Sequence, residues 1–288
     1  MKTIHCCVVS LAAAALSAQE QNPVGKLVDA VAPSIVTVRV VCELSMPMMG
    51  GETHEMKQET LGIVVDKSGL VLVSTSAADP AAQMSMMFGG EAEVESNVTS
   101  LKVMIGDEGK ELTGTVVAKD DKLGFTFVKI AELGDRQLTP LVFEQKGEPA
   151  LGASVWSVQR LSEGYDFAPV ANRTEIVGRI KKPRSAWVLA DSVSVGSPVF
   201  NADGGLCGVV AQIQAPGADA GGQNMMMQML GGGSRGPATF LVSAQAAATS
   251  IAQALEAASK APAKTEGAKE GEKKEEPKKD GEKKDEPK

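Results

Sequence analysis

The sequence predicts an all-β body of about a dozen strands in two halves, with a short helix before the first strand and a longer one after the last. Three observations predict it. Short runs rich in Val, Ile, Thr and Phe recur at intervals of roughly ten to fifteen residues, with Gly, Pro, Asp and Asn between them, which is the rhythm of a sandwich or barrel. Two of the joints, "VVDKSGLV" and "MIGDEGKEL", have the Asp and Gly chemistry of tight hairpins. Helix-like text occurs at the two ends of the body.

Taken in order, "VGKLVDA" is the short helical piece, over 24–30, and Pro33 ends it. The β-branched run 35–41 is the first strand. "LGIVVDKSGLVLVS" is two strands joined at 66–69, and "LKVMIGDEGKELTGTVVAKD" is two more with the turn at 106–109. "GFTFVKI" completes the first half, and a break at 134–148 separates it from the second. There "ASVWSVQ", "TEIVGRI", "SAWVLAD", "SPVFN", "GLCGVVAQI" and "ATFLVS" each read as a strand. "AQAAATSIAQALEAAS" is alanine-rich with apolar residues at helical spacing, so a helix closes the body.

The flanks differ from the body. Residues 1–18, "MKTIHCCVVSLAAAALSA", combine an early lysine, an apolar run and small residues near a cleavage point, the pattern of a secretory signal peptide. The run is too short for a bilayer span, which needs about 20 apolar residues. Residues 261–288 contain no large apolar side chain. From Lys264 onward nine lysines balance nine acids, so this stretch is a disordered polyampholyte spacer rather than a basic arm. The foldable body is therefore 19–260, in halves of about 24–133 and 149–260. The chain's net charge is −7, and with the tail neutral the body is acidic. That excludes a general nucleic-acid or anionic-membrane partner. Of four cysteines, Cys6 and Cys7 fall in the leader. Cys42 and Cys207 lie in strands far apart in sequence, and an exported chain leaves their pairing open. No C-x-x-C and no zinc-type spacing occurs, and no cofactor is implied.

The order of these pieces resembles the trypsin-like serine protease domain of the HtrA/Deg type. "VAPSIVTVRV" is similar to that domain's first strand. "GIVVDKSGLVLVSTSAADP" resembles the two strands that end in its histidine motif, T-N-x-H-V. "VMIGDEGKELTGTVVAKDDKLGFTFVKI" resembles the hairpin and strand ending in D-L-A-V-L-K-I, where its aspartate stands. "LGASVWSVQ", "VLADSVSVGSPVFNADGGLCGVV" and "ATFLVSAQAAATSIAQAL" resemble, in turn, the V-G-x-x-V-x-A-I-G strand, the G-N-S-G-G-P-L-V-N segment with its hairpin, and the last strand with its helix. The likeness runs over about 24–257, with no PDZ-like segment after it. It implies two perpendicular six-stranded β-barrels with an active site in the cleft between them, and a peptide or protein ligand there.

The residues that would carry the chemistry are absent. A serine nucleophile needs an adjacent base, which a third group orients. The histidine position falls on Ser76, the aspartate position on Gly124 and the serine position, three before Pro198, on Val195. Six residues separate Asp191 from Pro198, fewer than in the family. The shortening removes the turn whose N–H groups form the oxyanion hole, a contribution of ~3 kcal/mol per donor. A one-residue slip would make Ser194 or Ser197 a substitute nucleophile, without supplying a base; as turn residues beside Pro198 they need no such role. The sequence thus favours an exported pseudoprotease over a serine endopeptidase with a displaced site.

A second feature is methionine. Eleven of the thirteen methionines crowd into "SMPMMGGETHEM", "MSMMFGG" and "NMMMQMLGGG", which read as Gly-punctuated loops. The family layout places Met86 and Met87 after the histidine position and Met225, Met226 and Met227 near the specificity pocket, so both groups could face the cleft. Three readings stay open. Thioethers make adaptable apolar binding surfaces. They are also soft ligands, and Met46, Met48, Met49 and Met56 with His54, read as part of the first loop, suit Cu(I). They also fill gaps in weakly ordered loops.

Overall fold

In a computed structural model the described residues are 22–45, 53–79, 95–107, 109–144, 148–212 and 239–260. Asn22 caps helix α1 (Pro23–Val31), its side chain accepting from the Val24 N–H at 3.1 Å, with Pro23 in the first turn. A single 3-10 turn (Ala32–Ser34) then feeds the first strand.

Six strands follow: β1 (Ile35–Ser45), β2 (Thr53–Asp66), β3 (Leu70–Ser74), β4 (Glu95–Ile105), β5 (Glu111–Asp120) and β6 (Phe125–Ile130). They close into a barrel in the order β1-β2-β3-β6-β5-β4, with β4 returning to β1. A connection without regular structure among its described residues leads to β7 (Ser154–Arg160), β8 (Pro169–Ile180), β9 (Ala186–Leu189), β10 (Pro198–Phe200), β11 (Leu206–Gln212) and β12 (Thr239–Ser243). These close in the order β10-β11-β12-β9-β8-β7. Closure removes the free sheet edges that an open sheet of this size would expose. The all-β fold of two six-stranded barrels, with a short N-terminal helix and a C-terminal helix, is the one the sequence predicts. Short helix α2 (Thr75–Ala78) follows β3, and α3 (Ala244–Lys260) follows β12.

Each barrel has its own apolar interior. Val36, Val38, Val40, Val71, Val103 and Val128 fill the first. Val155, Ile176, Trp187, Val199 and Leu241 fill the second. A third cluster joins them: Ile63, Leu72, Phe125 and Phe127 of the first barrel meet Val209, Ala211 and Val242 of the second, with Ala247, Ile251 and Ala254 of α3 on the same surface. The Ser250 hydroxyl donates to Asp120 of β5 at 2.7 Å, so the last helix packs back on the first barrel.

One expectation is corrected. His54 does not sit in a loop before the second strand; it lies within β2, opposite Leu44, and Met56 lies opposite Cys42. The reason is that β1 runs on past residue 41 to Ser45, and β2 alternates across "THEMKQET" to pair with all of it. Cys42 and Cys207 are both free thiols, one in each barrel. Burial pushes the Cys207 thiol up to about 11.

Candidate functional site

The cleft between the barrels is built from β2, α2, β7 and the loop before β10. That loop, 191–197, is fixed by its backbone. The Asp191 N–H donates to the Thr174 hydroxyl, the Ser197 N–H to Ser194 O at 3.2 Å, and the Gly196 N–H to Val210 O at 2.8 Å. Gly196 has φ +86°, a conformation that favours glycine. A Cβ there would lie 3.4 Å from Leu61 O and 3.9 Å from Ser74 N, so the turn abuts β2 and β3 of the other barrel. The loop leaves Ser194 exposed and Val195 half-buried on the cleft wall. Ser197 is turned inward and fully buried, its hydroxyl without a hydrogen-bond partner among the described residues.

The opposite wall carries Ser76. Its hydroxyl lies 2.9 Å from that of Ser74, at the start of α2. Behind it, the Thr75 N–H donates to Gly124 O at 2.9 Å, and the Thr75 and Thr126 hydroxyls are 3.0 Å apart. Gly124 has φ +68°, and a Cβ on it would come within 3.0 Å of Gln212 O, at the end of β11. The structure therefore brings Ser76, Ser194 and Val195 onto one cleft and sets Gly124 behind Ser76, separated from the cleft by Thr75. Ser197 does not reach the cleft surface.

A family profile for the trypsin-like peptidase domain matches residues 60–209, from within β2 to within β11, a stretch that includes Ser76, Gly124 and Val195. The chain belongs to the trypsin-like peptidase family. No curated protein matches it.

In this trypsin-like domain the cleft has a volume of about 350 Å³. Its described lining is hydroxyl and amide for the most part: Thr37, Gln58, Thr60, Ser76, Gln159, Ser162 and Ser194. Two charged side chains also border it, and both have partners. Glu59 binds Arg39, whose guanidinium is held above its ordinary value first by that hydrogen bond and then, against burial, by the charges of Glu59 and Glu111. Arg39 also pairs with Glu111 of the first barrel and with Glu163, 2.8 Å away, on the β7–β8 loop of the second. Arg160 donates to Ile35 O at 2.7 Å, Ala32 O at 2.8 Å and Phe167 O at 2.9 Å. Burial lowers its pKa, with Asp107 opposing. No histidine, lysine, aspartate or cysteine is among the described cleft-lining residues, and the one carboxylate there, Glu59, is engaged by Arg39 rather than by Ser194. What the lining offers is neutral hydrogen-bond donors and acceptors matched to a polypeptide main chain.

Arg39 and Arg160 were not candidates on sequence grounds, and nothing local marks them. Of the methionines, Met56 lies in β2 away from this lining. Met46, Met48, Met49, Met86, Met87, Met225, Met226 and Met227 lie outside the described residues.

Proposed function

We propose that this chain is an exported, non-proteolytic trypsin-like protein of the HtrA type, whose inter-barrel cleft binds an extended stretch of a peptide or protein. The observation that carries the reading is the cleft itself: Ser76, Ser194 and Val195 face a space lined mostly by neutral polar groups, whose one described carboxylate, Glu59, is bound to Arg39. Neutral donors and acceptors hold a peptide backbone without activating a nucleophile. Residues 1–18 supply the export signal in this reading.

The test is treatment with a fluorophosphonate probe alongside an unstructured protein substrate. The expected outcome is no serine labelling and no cleavage, in the native chain and equally in Val195→Ser, because restoring a hydroxyl restores no base. Labelling of Ser194 that disappears in Ser194→Ala would overturn the reading in favour of a displaced serine endopeptidase. Binding is read separately, from a library of unstructured peptides. Ser76→Trp, which fills the cleft, is expected to abolish capture; capture unchanged by it would place the ligand elsewhere.

A further inference from the structure

The extension of β1 and β2 past residue 41 places three metal-ligating residue types on one sheet face. Cys42 stands directly opposite Met56, and Leu44 directly opposite His54, with no bulge in that ladder. Residues opposite each other in an antiparallel pair, and residues two apart along a strand, share a face. Cys42, Met56 and His54 are therefore nearest neighbours on that face. Opposite positions have Cβ atoms about 4.5–5.5 Å apart and diagonal ones about 7–8 Å, within reach of long side chains. Cys42 and Met56 pack in one small cluster with Leu44. Exposure is graded across the group: Cys42 is fully buried, Met56 half-buried and His54 exposed.

We propose that Cys42, Met56 and His54 form a soft-metal site that takes a single Cu(I) ion. A thiolate, a thioether and an imidazole together are the donor set that suits this ion. Zinc gains little from a thioether, so Met56 discriminates against it. The exposed imidazole meets the ion first, and the thioether passes it inward to the thiol. As the Cu–S bond forms, the Cys42 S–H proton leaves to solvent and the copper stays Cu(I). One feature of the surroundings favours the exchange: the Cys42 thiol has only a long contact, 3.8 Å, to Met56 O, so no strong hydrogen bond is lost.

The site lies outside the cleft lining and is independent of the peptide-binding reading. It is tested by anaerobic competition for Cu(I) against a colorimetric chelator, on the full chain. One equivalent is expected to bind, with X-ray absorption reporting two sulfur ligands and one nitrogen. Loss of a mere outer-sphere partner already costs about 10- to 100-fold in affinity, so Cys42→Ala is expected to weaken binding by at least about 100-fold. Met56→Leu keeps the volume and His54→Asn is exposed, so both keep the fold; each is expected to weaken binding by at least about tenfold. Replacing Met46, Met48 and Met49 together by Leu is expected to leave affinity unchanged. Undiminished binding in both Met56→Leu and His54→Asn, or its loss in the triple variant alone, overturns the proposal.

Discussion

Arg160 is the residue whose role depends most on the assembled molecule. Its guanidinium, carried by the second barrel, fills the acceptors of Ala32 and Ile35 at the entrance to the first. Removing it leaves main-chain carbonyls short of partners in a half-buried place. Hydrogen bonds to a charged group contribute about 1.5–3 kcal/mol each, so Arg160→Ala is expected to cost at least about 3 kcal/mol in urea unfolding. Glu163→Gln breaks a link on the same side of the cleft, but its carboxylate is well exposed, and a cost below about 1 kcal/mol is expected. Counting back from Pro198 singled out Val195 in the sequence, and the structure sets that residue on the cleft wall. Arg160 was not legible there, because its partners are carbonyl oxygens 125 and 128 residues away, and a carbonyl is the same in every residue type. The inward turn of Ser197 was likewise hidden: serine beside proline reads as a turn residue, and its burial depends on the second barrel closing around it.

At the scale of elements, the β2–β3 hairpin shows how a turn is held. Asp66 accepts from the Ser68 N–H at 2.8 Å. The Ser68 side chain first, then that N–H and the charge of Lys129, hold the Asp66 carboxylate below its ordinary value, against the opposing effect of burial. A carboxylate whose folded pKa is depressed contributes stability above its unfolded pKa of about 3.9, and that contribution is lost as pH falls through the folded value. The stability advantage of the native chain over Asp66→Asn is therefore expected to be full at pH 6 and to shrink steadily below about pH 4. A gap that stays constant to pH 2 would exclude this role. This hairpin was legible because Asp-Lys-Ser-Gly names its turn. The extent of β1 and β2 was not: methionine, histidine and glycine after residue 45 look like a loop, whereas long-range pairing with β4 carries the sheet up to Ser45. Tertiary pairing overrode local composition there.

At the scale of the molecule, the two barrels share one apolar cluster, and α3 belongs to it as much as the strands do. Ile251 faces that junction and is 7% exposed. Ile251→Ala is expected to cost about 2–4 kcal/mol and to shift the far-ultraviolet signal of both barrels and the fluorescence of Trp156 and Trp187, which sit only in the second, by the same amount. Separate transitions would show that the barrels unfold independently. A dozen strands in two halves were readable from strand rhythm and turn chemistry, and their closure into two barrels only from the family resemblance. The shared cluster was not, since Ala247 and Ala254 carry no signal beyond helix propensity. The same junction bears on how the protein is born. Every strand of the first barrel has been synthesised by residue 130, yet the helix that covers Leu123, Phe125 and Phe127 begins only at residue 244. At about 5–20 residues per second, that greasy surface stays uncovered for several seconds in each round of synthesis. The nascent chain has to be kept from its neighbours until its own last helix arrives.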